Sequence, residues 1–207
     1  MVGTLDQILQ SNFGTFYIFC MAIIGACVLI IFTAIIIDFV KFHPNKKVKR
    51  QKKNPVETGT MTLFFIFFYL FIRFNIGIIN YNYIPLRLGL LIFGTIVIVF
   101  GTYINVKGRF VLGKNWANHI KIYKDHKMVT AWPYNLVRHP LYASLIWMFY
   151  AASLIYLNWI AFLLTTLVFV PMMIYRAKQE ELLLSRQFKN YKTYINNVGR
   201  FFPKMKL

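Results

Sequence analysis

Five long apolar runs alternate with polar stretches along this chain, and each run predicts a helix. They extend from Phe13 to Val40, Gly59 to Asn80, Pro85 to Lys107, Pro140 to Leu157 and Trp159 to Tyr175. A helix rises about 1.5 Å per residue, so about 18 to 20 apolar residues cross a hydrocarbon core of about 30 Å. The expected fold class is all-α, a polytopic membrane protein with about five transmembrane helices. Only a turn at Asn158 separates the last two runs, which forces a C-terminal antiparallel hairpin. Pro171 lies inside the last run, where it frees the carbonyl of Leu167 and predicts a kink. The helical pattern continues through Arg176 to about Phe188, so the last helix is expected to extend into the cytoplasm.

The runs also divide the chain. Residues 1–58 form an anchor and a basic loop, 59–107 a second and third helix, and 108–207 a C-terminal module, all within one membrane domain. Gly89, Gly94 and Gly101 in the third run are small residues that permit close helix contact. Arg73 is the basic residue set well within an apolar run, about 10 Å from its outer end, and is expected to snorkel to the interface. From Gly108 to Val137, Trp116, Trp132, Tyr123 and Tyr134 are mixed with Lys114, Lys121, Lys124 and Lys127, which suits a segment at the membrane surface capping a site.

Composition agrees with a membrane protein, since 58% of the 207 residues are hydrophobic and 18% aromatic. A net charge of +18 would suggest nucleic acid in a soluble protein, but placement explains it. Seven of the 24 Lys and Arg residues fall between Lys41 and Lys53, seven between Lys107 and Arg138, and eight between Arg176 and Lys206. These clusters occupy alternate inter-helix segments, as cytoplasmic loops do under the positive-inside rule, so the N-terminus is placed outside and no nucleic acid is expected. Met1 to Gln10 shows no basic region or cleavage-like site, and Val2 excludes the myristoylation pattern. Cys20 and Cys27 stand about 10 Å apart on one helix, too far for a disulfide.

Candidate chemistry gathers at the cytoplasmic end of the hairpin. Equal rises along antiparallel helices bring equal distances from Asn158 to the same depth. Eighteen residues back is Pro140 and eighteen forward is Arg176, so Arg138, His139, Glu180 and Glu181 should share one interfacial layer. Glu180 and Glu181 are two of only six acidic residues in the chain, and they sit among cations. Local features alone also allow a solvated helix end and a simple helix start at Pro140.

A longer ordered set of residues narrows the choice. Leu112-Gly113-Lys114-Asn115-Trp116, His126-Lys127-Met128-Val129-Thr130, Pro133-Tyr134, Arg138-His139-Pro140-Leu141-Tyr142, Glu180-Glu181, Phe188, Tyr191, Tyr194, Val198 and Pro203 together resemble the isoprenylcysteine carboxyl methyltransferase family and its phospholipid methyltransferase relatives. The resemblance covers about the C-terminal half. It implies an integral membrane enzyme that uses S-adenosylmethionine, with the pocket built from the RHPxY segment, the paired glutamates and the preceding loop. The implied cofactor-binding residues are His126, Lys127, Val129, Tyr134, Arg138, His139, Pro140, Tyr142, Glu180 and Glu181, with Arg138 and Glu181 also catalytic and no metal. Trp132 and Ser144 stand where members commonly have glycine, which hints at an altered pocket. Asn197 replaces a basic residue frequent in carboxyl-methylating members.

The resemblance implies a lipophilic, membrane-embedded methyl acceptor and a multi-pass protein of a bacterial plasma membrane or a eukaryotic endoplasmic reticulum. On the cofactor, Glu180 or Glu181 would take ribose hydroxyls or the ammonium, Arg138 the carboxylate, and Tyr134 and Trp132 the adenine. A carboxylate acceptor needs no base, whereas a phenol, enol, thiol or ammonium does, and Glu181 or His139 is then the candidate. A sterol-type membrane reductase binding NADPH through the Lys-rich loop is the alternative enzyme. A non-catalytic adaptor or small transporter is the alternative of another class, although no internal repeat or deep acidic residue supports transport.

Overall fold

A computed structural model describes residues 2–42, 48–52, 55–80, 83–113, 120–123 and 128–204. Its helices are α1 (Val2–Phe42), α2 (Pro55–Arg73), α3 (Ile84–Leu112), α4 (Pro140–Ile155), α5 (Trp159–Leu164), α6 (Val170–Gln187) and α7 (Tyr191–Asn197). Strands β1 (Val48–Lys52) and β2 (Ile120–Tyr123) form a short antiparallel ribbon beside the helices. Three helical stretches are long and apolar enough to cross a membrane: Asn12–Asp38, Ile84–Leu112 and Trp159–Gln187. Gly59–Arg73 and Pro140–Ile155 are apolar but shorter.

The second run is shorter than its hydropathy predicts. Helix α2 stops at Arg73 because Asn75 (φ 57°) and Gly77 (φ 81°) turn into the left-handed region. A Cβ on Gly77 would also stand 2.5 Å from Ile160, so this turn requires glycine. Arg73 is exposed at the helix end with its guanidinium 6.0 Å from the Phe74 ring centre. By contrast α3 runs past Lys107 to Leu112, because Arg109 finds partners inside the protein. The helix ends at Gly113, whose φ is 48° and whose N–H donates to the Arg109 carbonyl.

Helix α3 packs along both α1 and α4. Gly94, Gly101 and Gly108, seven residues apart, face Ile155, Met148 and Leu141 of α4, at 2.4, 2.6 and 3.0 Å from where a Cβ would sit. Larger residues there would force the backbones apart. Gly89, expected in this stripe, has open space instead. Cys27, a free cysteine, packs with Ile98 and Ala151 where α1, α3 and α4 meet. A second core joins α2, α4 and the last helix, with the Phe64 and Phe169 rings stacked at 4.6 Å and Phe149 edge-on to Phe64 at 5.0 Å.

Just before Pro171, where a kink is expected, the helix forms a π turn, Thr165–Phe169, in which the Val170 N–H reaches back to Thr165. That i−5 bond widens the helix in the turn that precedes the proline. At the other end of the hairpin, buried Asn158 caps α5 by accepting from the Ala161 N–H at 2.8 Å and donates to the Phe71 and Ile76 carbonyls. One side chain thereby joins the α4–α5 turn to the α2–α3 turn. The β1–β2 pairing likewise joins the α1–α2 and α3–α4 connections at the opposite end.

Candidate active site

Proline dictates how the site begins. It disfavours helical backbone at the residue before it, and His139 has φ −126° and ψ 65° as the residue preceding α4. His139 therefore stands outside the helix while its carbonyl accepts from the Ala143 N–H at 3.0 Å. Two backbone bonds pin this stretch to the C-terminal segment. The Arg138 N–H donates to the Gly199 carbonyl at 2.8 Å, and the His139 N–H donates to the Arg200 carbonyl at 3.1 Å.

The structure brings together Arg138, His139, Glu180 and Glu181, as the register from Asn158 predicts, and places Tyr142 beside them. Glu181 Oε1 accepts from Arg138 Nε at 3.0 Å and lies 3.1 Å from His139 Nε2. Arg200, which the sequence did not single out, grips both oxygens of the same carboxylate, with Nε 3.0 Å from Oε1 and Nη2 2.6 Å from Oε2. Three basic side chains thus converge on one buried glutamate. Glu180 is held more lightly. The Tyr142 hydroxyl donates to its Oε1, and His139 Nδ1 stands 3.5 Å from Oε2, longer than an ordinary hydrogen bond. Its side chain is 28% exposed against 9% for Glu181.

Charge and aromatic faces complete the layer. The His139 and Tyr142 rings are parallel at 5.5 Å, and Phe201 meets His139 edge-on at 6.1 Å. The Arg176 guanidinium lies 5.7 Å from the Tyr142 ring centre. Burial alone would push the imidazole pKa down, but hydrogen bonds and charge from Glu180 and Glu181 outweigh it and raise it above the ordinary value. With a carboxylate facing each ring nitrogen, the doubly protonated form is favoured. In that form both ring nitrogens donate.

The other expected residues divide between the site and the packing around it. Tyr134 is buried and donates to the Gly108 carbonyl at 3.3 Å, while its own carbonyl accepts from the Tyr194 hydroxyl. Burial is the main cause that pushes Tyr194 up to about 12, so it stays protonated and keeps this bond. Trp132 rests against Tyr103 of α3 at 5.5 Å. Ser144 donates to the Leu141 carbonyl and accepts from Asn105 Nδ2, both at 2.9 Å, so its hydroxyl serves the α3–α4 contact. Val129 is half-buried, and Pro140 is buried at the start of α4. His126 and Lys127 lie outside the described residues, as do Lys114, Asn115, Trp116 and Lys124. Among the described residues, no group of three or more His, Cys, Asp or Glu side chains is arranged to hold a metal.

A clustered histidine, three arginines and two glutamates at the ends of membrane helices identify a polar site without naming its chemistry. The family model for phospholipid methyltransferase matches residues 90–191. Over this stretch, just under half of the 207 residues, the chain is similar to that family. No curated protein matches the chain. The matched stretch runs from within α3 to the start of α7 and contains Arg138, His139, Tyr142, Glu180 and Glu181. Arg200 and Phe201 close on them from beyond the matched residues.

Proposed function

We propose that this protein transfers a methyl group from S-adenosylmethionine to a lipophilic acceptor in the membrane, at a site on the cytoplasmic interface. The observation that carries the reading is the unequal treatment of two adjacent carboxylates. Arg138, His139 and Arg200 neutralise Glu181, while Glu180 keeps a partly exposed carboxylate beside Tyr142 and Arg176. Such a donor set fits a ligand that carries an ammonium, a carboxylate, hydroxyls and an aromatic ring.

Glu180 would hold the ribose hydroxyls or the ammonium, with Tyr142 fixing its carboxylate. Arg138 already spends Nε on Glu181 and Nη1 on the Ile195 and Val198 carbonyls, so Arg176 shares recognition of the ligand carboxylate with it. His126, Lys127, Val129 and Tyr134 are also assigned to the cofactor, and Pro140 sets the helix start. When bound, the cofactor supplies an electrophilic methyl group on a sulfonium. The protein's part is then to align the acceptor and exclude water. Arg138 and Glu181 act in catalysis by holding this alignment. Where an acceptor must lose a proton, Glu181 or His139 is the candidate base.

In this reading the five apolar helices all cross the membrane, with the N-terminus outside and the C-terminal module of 108–207 reaching the cytoplasm. The apolar tail of the acceptor stays in lipid while its head meets the site. The test is transfer of a labelled methyl group from S-adenosylmethionine into the organic-extractable fraction of membranes containing the protein. Transfer lost on Arg138→Gln supports the reading. Label that stays in the aqueous phase in wild-type membranes across lipid extracts from several sources contradicts it.

A further inference from the structure

We propose that Arg200 is a positioning residue of this site, setting the orientation of Glu181 and through it the placement of His139. The inference deepens the reading of the layer as a cofactor pocket, but it stands on contacts made by a residue outside the family match. The guanidinium meets the Glu181 carboxylate as a fork, with Nε on Oε1 at 3.0 Å and Nη2 on Oε2 at 2.6 Å. A fork fixes the plane of a carboxylate, which a single bond does not. Arg138 Nε and His139 Nε2 both approach Oε1, so neither of these bonds sets the rotation of the carboxylate about its axis. The grip of Arg200 on both oxygens does.

The same residue holds His139 a second way. Its carbonyl accepts the His139 N–H at 3.1 Å, and the neighbouring Gly199 carbonyl accepts the Arg138 N–H at 2.8 Å. Phe201 then covers the His139 ring, and Phe202 lies edge-on to Trp147 of α4 at 5.6 Å. A Cβ on Gly199 would fall 1.8 Å from the Phe202 carbonyl oxygen, so this fold of the segment requires glycine. Residues 198–202 thus form a strap along the site. Arg200 is its outer cation, with a side chain 31% exposed against 8% for Arg138 on the inner side.

The groups facing His139 are Glu180 and Glu181 of α6, Tyr142 of α4, and Phe201 of the strap, with Arg138 and Arg200 sharing Glu181. Removing Arg200 leaves more of the Glu181 charge to the imidazole. The experiment is titration of His139 by nuclear magnetic resonance in cofactor-free, histidine-labelled protein in detergent, with the signal assigned by His139→Gln among the four histidines. Arg200→Ala is expected to raise the His139 midpoint by at least about half a pH unit. Arg200→Lys, which keeps the charge without the fork, recovers only part of the shift. Phe202→Ala loosens the strap without touching Glu181 and leaves the midpoint at the wild-type value.

An Arg200→Ala midpoint equal to wild type, or a shift reproduced in full by Phe202→Ala, would overturn the proposal and leave Arg200 a structural contact. Should Arg200→Ala not fold, Arg200→Gln is read in its place against the same expectations. In parallel, Arg200→Ala is expected to weaken S-adenosylmethionine binding about tenfold and Phe202→Ala less than about twofold. The midpoint is read without cofactor, so it stands or falls separately from cofactor binding.

Discussion

Asp38 of α1 accepts a 2.8 Å hydrogen bond from Arg109 of α3, and both side chains are largely buried, at 7% and 11% exposure. Arg109 also donates to Asn105 at 2.9 Å, and Asn105 in turn donates to Ser144 and to the Leu141 carbonyl of α4. A single polar chain therefore ties α1, outside the family match, to the first turn of the helix that follows Arg138-His139. Removing one partner of a buried pair strands the other charge and costs about 3 to 5 kcal/mol. Asp38→Ala is thus expected to lower the thermal unfolding midpoint in detergent more than Asp38→Ala/Arg109→Met does. A double variant no more stable than the single one would show that the pair itself matters little.

Gly77→Ala tests the turn that closes the far end of the helices. The left-handed backbone costs a non-glycine residue about 1 to 2 kcal/mol, and the clash with Ile160 adds about 1 to 3 kcal/mol of overpacking. A clear loss of thermal stability is expected, whereas Gly89→Ala, which meets nothing within 4 Å, should leave stability nearly unchanged.

The raised pKa of His139 makes stability depend on pH in a definite sense. Folding favours the charged imidazole, so its contribution is complete below the ordinary histidine value of about 6.5 and fades as pH rises through the higher folded value. The gap in unfolding midpoint between wild type and His139→Gln should be widest near pH 6 and should narrow on the alkaline side. A gap that widens with pH would mean that His139 is held neutral.

Tyr142→Phe removes the hydroxyl bonded to Glu180 while keeping the ring stacked on His139. A hydrogen bond to a charged group contributes about 1.5 to 3 kcal/mol. With the Glu180 carboxylate no longer fixed, cofactor affinity is expected to fall by at least about tenfold, measured by calorimetry. An affinity equal to wild type would remove Tyr142 from the binding role proposed for it.

The sequence made the central cluster legible because antiparallel helices rise at the same rate. Counting from Asn158 put His139 within a turn of Glu180, and the two stand at 3.5 Å. Helix ends were harder. The length of α3 depends on Arg109 finding Asp38, and the early stop of α2 depends on positive φ at Asn75 and Gly77, neither of which hydropathy reports. Arg200 was missed because one cation in a basic tail carries no local mark of its partner nineteen residues earlier. Asp38 did offer a signal, since a carboxylate at the end of an apolar run needs a cation nearby.

In the proposed site Glu180 is the carboxylate offered to a ligand and Glu181 the one committed to the protein. The most direct measurement is S-adenosylmethionine binding by calorimetry to wild type and Glu180→Gln in detergent. Binding by wild type that Glu180→Gln weakens at least about tenfold, with the unfolding midpoint little changed, is the predicted result. Folded wild type that shows no binding at about millimolar cofactor, or a Glu180→Gln variant that binds as tightly as wild type, would contradict it.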